Sequence, residues 1–420
     1  MKKEKTSYAP LVFLLLLLIS EPLANYFQYF NYCDEIVTVI FGLYIIAKIL
    51  CGHKPDKLNS ILLFLMIALI LLGLTGNIIS RAQHSMTAII IDAIANVKVV
   101  ACFIAMRMMF EKRGSAELCV RMLALPAKIM IVVGMCFAIL SLFNNYGMSV
   151  GEERFGLKPF SFVYGYAHIY AISLLFFLII IELSGVSKKS FYIFLLMTMA
   201  QMLLTTKGPW IVWVAVVALL LFYYKRFSKL SIWWLVIIGI LALILGQYQI
   251  QTYFLNQSSP RYILIKFGFR TVRTYPFGSG FATYGSDASG TYYSDLYYLY
   301  GFDKMSGLSP NDTRFLNDNF WPKILGQFGF PGLIIITMIM VILFISFNRS
   351  KMNGILKALV VSAFLACIIH SLGSSTFNIS CCVSLFAGYA LAMRLPNGVK
   401  NATQNIVKEN CMKEVSYGQI

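Results

Sequence analysis

The sequence predicts an all-α polytopic membrane protein with about 12 transmembrane helices and one large, partly structured extracytoplasmic loop. Three observations predict it. Of the 420 residues, 59% are hydrophobic and 13% charged, where a soluble domain carries about 25% charged residues. The apolar residues come in continuous runs of about 20, enough to cross a hydrocarbon core about 30 Å thick. A membrane β-barrel would show alternating segments of about ten instead. Lys and Arg also recur on alternate connections, as they do in short cytoplasmic turns.

The first run, 8–27, follows Lys2, Lys3 and Lys5. No small-residue cleavage site follows it and Glu21-Pro22 is a poor one, so it reads as an uncleaved span rather than a signal peptide. Apolar segments at 36–51, 59–79, 86–108 and 121–143 supply the next spans, followed by 165–184, 191–206, 209–224 and 232–248. A long polar and aromatic stretch then intervenes before 326–347, 355–371 and 377–394. The predicted organisation is transmembrane helices 1–9 in 1–248, the large loop in 249–325, helices 10–12 in 326–395 and a polar tail in 396–420.

The basic connections, among them Lys54-Lys57, Lys188-Lys189 and Lys225-Arg226, fall on the side of both termini. Both termini are therefore expected in the cytoplasm, with the chain multi-pass in the cytoplasmic (inner) membrane. The net charge of +17 is then a matter of topology and calls for no nucleic-acid partner. The long loop has no cysteine, which excludes a disulfide-stapled outer domain, and no spacing resembles a zinc site. The adjacent Cys381 and Cys382 read as packing. No internal repeat is visible, which weakens a transporter reading.

The loop is denser in aromatics than the chain's own 15%. Disordered segments are poor in aromatics, so the loop should fold. Its charges are sorted. Arg261, Lys266, Arg270 and Arg273 come first, and Asp287, Asp295, Asp303, Asp312 and Asp318 follow. A helix over 261–275 would put Lys266, Arg270 and Arg273 on one face. Outside arginines suit phosphate oxygens, with snorkelling to headgroups as the alternative for any single one. Gly278-x-Gly280 reads first as a tight turn. The tyrosines at 292, 293, 297, 298 and 300 read as an interfacial belt or as stacking platforms for sugars. Asp92, Asn96 and Lys98 are ionisable or polar groups within a span, hence functional candidates or a structural pair. His370 reads as an interfacial polar residue or a base.

Several short motifs fall in order across 150–335. They are Arg154-Phe155-Gly156 before a span and Lys207-Gly208 in a short turn. Arg261 then stands fifteen residues before Pro276-Phe277-Gly278-Ser279-Gly280-Phe281. Tyr292-Tyr293-Ser294-Asp295 and Asp318-Asn319-Phe320-Trp321-Pro322 follow. Together with the topology, this order resembles the O-antigen and capsule polymerase (Wzy) family, within the group that includes O-antigen ligases. That group often has Ser-Arg where this chain has Thr206-Lys207, and its ligases carry His-Asn where this chain has Asp318-Asn319.

The resemblance implies a metal-independent glycosyltransferase with no cofactor. It would move a glycan from undecaprenyl pyrophosphate onto another lipid-linked repeat unit at the outer face of the cytoplasmic membrane. Its partners would be that lipid-linked oligosaccharide, membrane lipid, and flippase and chain-length regulator proteins. The implied catalytic residues are Arg154, Lys207, Arg261 and Asp318, and the implied substrate-binding residues are Arg270, Arg273, Tyr293 and Asn319. Asp318 would act as the base, hold acceptor hydroxyls or cap a helix. A flippase or transporter of lipid-linked oligosaccharide, or an O-antigen ligase, is the alternative.

Overall fold

The computed structural model describes residues 6–399 apart from Phe155, Ser228, Gly246, Tyr248 and Gln249. Lys2, Lys3 and Lys5 and the tail from Lys400 on lie outside the described residues. What is described is helical, with only isolated bridges such as Ser149 with Phe160 outside the helices. Five helices are long and apolar enough to cross a membrane: α3 (Lys57–Ser80), α4 (Met86–Met109), α5 (Arg113–Leu140), α13 (Phe320–Arg349) and α14 (Gly354–Ser371). Four shorter apolar ones join them: α1 (Ala9–Ala24), α6 (Ala167–Leu183), α8 (Gly208–Tyr224) and α15 (Ser380–Arg394). Helices α2 (Cys33–Leu50), α7 (Lys188–Leu204) and α9 (Ile232–Leu245) also lie in predicted spans.

Burial separates a centre from a periphery. Nearly every residue of α6 and α15 is buried, and α14 packs against α8 while α15 packs against α4, α6 and α1. The periphery has apolar residues on both faces. On α3, Leu62, Leu65 and Leu69 face inward, while Phe64, Leu71 and Ile78, seven residues apart, are 71%, 59% and 73% exposed. A soluble protein rarely exposes so continuous an apolar stripe, whereas hydrocarbon solvates it without cost.

Inside the bundle one cluster pairs its buried charges. The buried Lys98 ammonium of α4 bonds Asp34 and reaches Glu35 at 3.3 Å, both on α2. Removing one member of such a buried pair leaves the other uncompensated, which costs about 3–5 kcal/mol.

The long segment between α9 and α13 is folded. It contains a turn at Ile250–Leu255, α10 (Pro260–Thr274), α11 (Asp287–Thr291) and α12 (Asp295–Tyr300). Pro260 supplies the fixed φ suited to a first helical position. A satellite core holds this segment together: Leu264, Tyr284, Tyr297, Tyr300 and Phe302, packed with Ala82 from the end of α3. The Tyr297 hydroxyl donates to or accepts from Ser289 Oγ at 2.7 Å and accepts the Gly285 N–H at 2.7 Å. The helix reading over 261–275 holds, and Lys266, Arg270 and Arg273 are exposed on α10. The following helix begins at Phe320 rather than 326. Its first turns carry the buried Lys323 and Gln327, which hide the helix from an apolar-run criterion.

The segment is pinned to the bundle at Pro276–Phe281. The Asn77 side chain of α3 pairs with both the N–H and the C=O of Phe281, each at 2.8 Å, as a strand partner would. On the other side, Ser279 N–H donates to Gly326 O at 3.0 Å and Gly280 N–H to Gln327 O at 2.8 Å. Asp92 of α4 accepts the Ala282 N–H at 2.6 Å. That gives the span carboxylate a structural role. Gly278 and Gly280 have φ of +92° and +97°, and a Cβ at either would overlap backbone of α13 or α3. Helix α13 itself breaks at Gly329, φ 64°, where the chain passes Pro276.

Gly280→Ala is expected to lower stability by at least about 2 kcal/mol, combining left-handed strain with overpacking. Gly42→Ala, in a helix with open space around it, should be neutral or stabilising by up to about 1 kcal/mol. Thermal unfolding of the detergent-solubilised variants compares the two.

Candidate functional site

Three chain segments meet at the loop face beside the start of α13. The Arg154 guanidinium, in the turn held by the Arg154–Leu157 bridge, donates to the Tyr253 hydroxyl at 3.0 Å. Arg261, in the first turn of α10, lies over the same Tyr253 ring at 4.6 Å from its centroid, with Arg154 at 5.8 Å. Arg261 also pairs with Asp318 at 3.5 Å. Lys207 stands at the N-cap position of α8, within electrostatic reach of Arg154, Arg261, Asp318 and Glu152. The structure thus brings Arg154, Lys207, Arg261 and Asp318 together. Asn319 joins them, donating to the Arg261 carbonyl at 3.2 Å.

The remaining predicted residues sit elsewhere. Arg270 and Arg273 lie nine and twelve residues along α10 from Arg261, about 14 and 18 Å down the axis. Arg270 covers the Phe267 and Tyr300 rings at 5.7 and 5.5 Å. Tyr293 packs on Tyr297 and Tyr298 and donates to Leu308 O at 2.9 Å, within the satellite core.

Helix ends reinforce the positive field. Some helix starts here are capped by a side chain, as by Asp56 on α3, Ser85 on α4 and Asn353 on α14, and others, such as those of α1, α5 and α6, are not. The N-termini of α8, α10 and α13, at Lys207, Ser259 and Asn319, receive no side-chain cap. Ser and Asn are good caps, yet Ser259 Oγ and Asn319 Oδ1 are buried without any hydrogen-bond partner. The same is true of Arg261 Nε, Thr206 Oγ1 and Trp210 Nε1. Buried polar groups are normally satisfied, so five orphans around one cluster mark a place arranged for a ligand. Free N–H groups at helix starts favour an anion.

One of the left-handed non-glycine residues also lies here. Thr206, β-branched, has φ +50°, a conformation costing about 1–3 kcal/mol that persists where the surroundings fix it. It aims Lys207. Beneath the cations, His370 stacks on Trp210 at 5.0 Å and packs on His168 at 5.2 Å, with its Nδ1 at 2.7 Å from Thr376 Oγ1.

Burial, then the Arg154 and Arg261 charges, lower the Lys207 ammonium to about 8, with Asp318 and Glu152 opposing. Burial raises Asp318 above the ordinary carboxylate range, against the attraction of Arg261 and Lys207. Asp318 does not cap α13; that position is Asn319.

Tyr253, Ser259, Trp210 and His168 are absent from the sequence expectation. The one available signal was Pro260, which marks a helix start and makes Ser259 its cap position. Among the described residues no group of His, Cys, Asp and Glu is placed to hold a metal ion. Compared with known protein families and with curated proteins, the chain matches none.

The sign for anion binding follows from Lys207. The ammonium is present below about 8 and lost above it. Affinity for inorganic pyrophosphate should therefore fall several-fold between pH 7 and 9, and Lys207→Arg should flatten that step. Titration calorimetry on the full chain in detergent measures both.

Proposed function

We propose that the chain is a polysaccharide polymerase of O-antigen, capsule or exopolysaccharide biosynthesis. In this reading about 12 helices span the cytoplasmic membrane with both termini cytoplasmic, and the loop face is extracytoplasmic. The observation that carries it is the convergence of Arg154, Lys207 and Arg261 with three uncapped helix N-termini around Asp318. Such a site stabilises negative charge developing on a leaving pyrophosphate without help from a metal.

The reaction is a single displacement. The hydroxyl oxygen of the acceptor sugar forms a bond to the anomeric carbon of the donor glycan, and the bond from that carbon to the pyrophosphate oxygen breaks. The electron pair leaves with the undecaprenyl pyrophosphate, where the cations receive it. The acceptor proton passes to a base. Asp318 takes that role: its raised pKa brings it nearer neutrality, and it sits against the cation that binds the leaving group. His370 is the second candidate base. It stacks on Trp210 beside Lys207.

The reading is tested in cells. Asp318→Asn should abolish polymer while single repeat units are still displayed; normal chain length in that variant excludes Asp318 as the base. Arg261→Lys should cost at least about tenfold in polymerisation, because an ammonium cannot reproduce a planar fork. Deletion of the gene separates the classes. Loss of chain length with retained single units supports a polymerase, loss of all export indicates a flippase, and unattached full-length polymer indicates a ligase.

A further inference from the structure

A cavity of about 400 Å³ is tied by hydrogen bonds to the segment that carries Asp318 and Asn319. The segments concerned are 317–323 and 375–380. Asp318 and Asn319 face Arg261. Next to them, the Asn317 side chain donates to Asp287 at 2.6 Å, and the buried Lys323 donates to Asn378 at 2.9 Å. Ser375 Oγ donates to Asn317 O at 2.8 Å and ties the two segments together. Asp287 and Asn378 line the cavity.

The cavity is the electrostatic complement of the cluster. Glu21, Asp34, Glu35 and Asp287 line it, against Lys98, which is already engaged by Asp34 and Glu35. Glu35 Oε2 is buried with no hydrogen-bond partner. The rings of Phe30, Tyr32 and Tyr292 and the side chains of Asn31 and Thr291 complete the lining. Carboxylates accept hydrogen bonds from hydroxyl and ammonium groups and repel anions. A few polar groups among aromatic walls, in a volume of this order, suit an organic ligand. Here the ligand chemistry is hydroxyl-rich and uncharged or amino-bearing.

We propose that this cavity is the acceptor-glycan subsite, which rests on the glycosyl-transfer reading. Sugars of the incoming unit, neutral or amino-substituted, occupy it and present a hydroxyl over the 317–319 wall towards the cations. Charge then sorts the two substrates. The pyrophosphate end is drawn to Arg154, Lys207 and Arg261 and excluded from the cavity, so the two substrates cannot exchange places.

Saturation-transfer NMR on the full chain in detergent tests this with cellobiose, a glucosamine disaccharide and a uronic-acid disaccharide, each with and without inorganic pyrophosphate. Transfer is expected to cellobiose or to the glucosamine disaccharide, not to the uronate, and pyrophosphate should leave it in place. Tyr32→Ala, at a residue 57% exposed, and Asp287→Asn should each weaken binding at least about fivefold, a loss of about 1 kcal/mol. No binding by any of the three, equal binding by the uronate, or binding unchanged in both variants overturns the assignment. Pyrophosphate binding with no disaccharide binding leaves the polymerase reading standing without this subsite. Disaccharide binding with no pyrophosphate binding keeps the cavity as a glycan site but overturns the polymerase reading and, with it, the acceptor role.

Discussion

The structure turns on the contact of backbone with backbone at Pro276–Phe281. Most connections between membrane helices are held by their ends. This one is also held in its middle, by hydrogen bonds to Asn77 on one side and to the carbonyls of Gly326 and Gln327 on the other. From that point the rest of the loop face is positioned. Tyr284, three residues past Phe281, bonds the Leu264 carbonyl and so fixes α10. The start of α10 fixes Arg261, and α13, which forms the opposite wall, fixes Asp318 and Asn319.

That rigidity accounts for the chemistry of the cluster. Buried cations repel one another and resist desolvation, and an arrangement of Arg154, Lys207 and Arg261 would relax apart if the scaffold allowed it. Here Tyr253 stands between two of them and Thr206 is held in a left-handed conformation under the third. The left-handed Thr206 and the unsatisfied polar groups are held in place before any ligand arrives, which is the preorganisation that the proposed anion site requires.

Much of the helical architecture was legible because a run of apolar residues has one physical meaning when it is about 20 long. The limit appears where burial is polar. Phe320–Phe328 carries Lys323 and Gln327 into the interior, so the helix starts earlier than hydropathy shows. Gly278 and Gly280 read correctly as a turn, but nothing local says that the turn inserts between two helices. Arg154, Lys207, Arg261 and Asp318 could be singled out through a resemblance in the order of short motifs. Tyr253 could not, since one Tyr among many becomes special only through neighbours distant in sequence, and for Ser259 the only local signal was the Pro260 that follows it. Asp34 and Glu35 were hidden for another reason. Acids at a helix start are expected on dipole grounds alone, and their pairing with Lys98 is visible only in three dimensions.

The glycine wedge also bears on how such a loop can diverge. A connection anchored at mid-length is two short loops rather than one long one, and each must keep its own span. Insertions and deletions are tolerated where backbone is exposed and uncommitted. Here the half-buried or exposed stretches, such as 303–306 and 310–314, are held by short-range bonds within the loop, unlike the six residues that lie between the helices. Changes of length can therefore remodel the rim, while the spacing from Arg261 to Pro276 stays fixed by the helix that joins them.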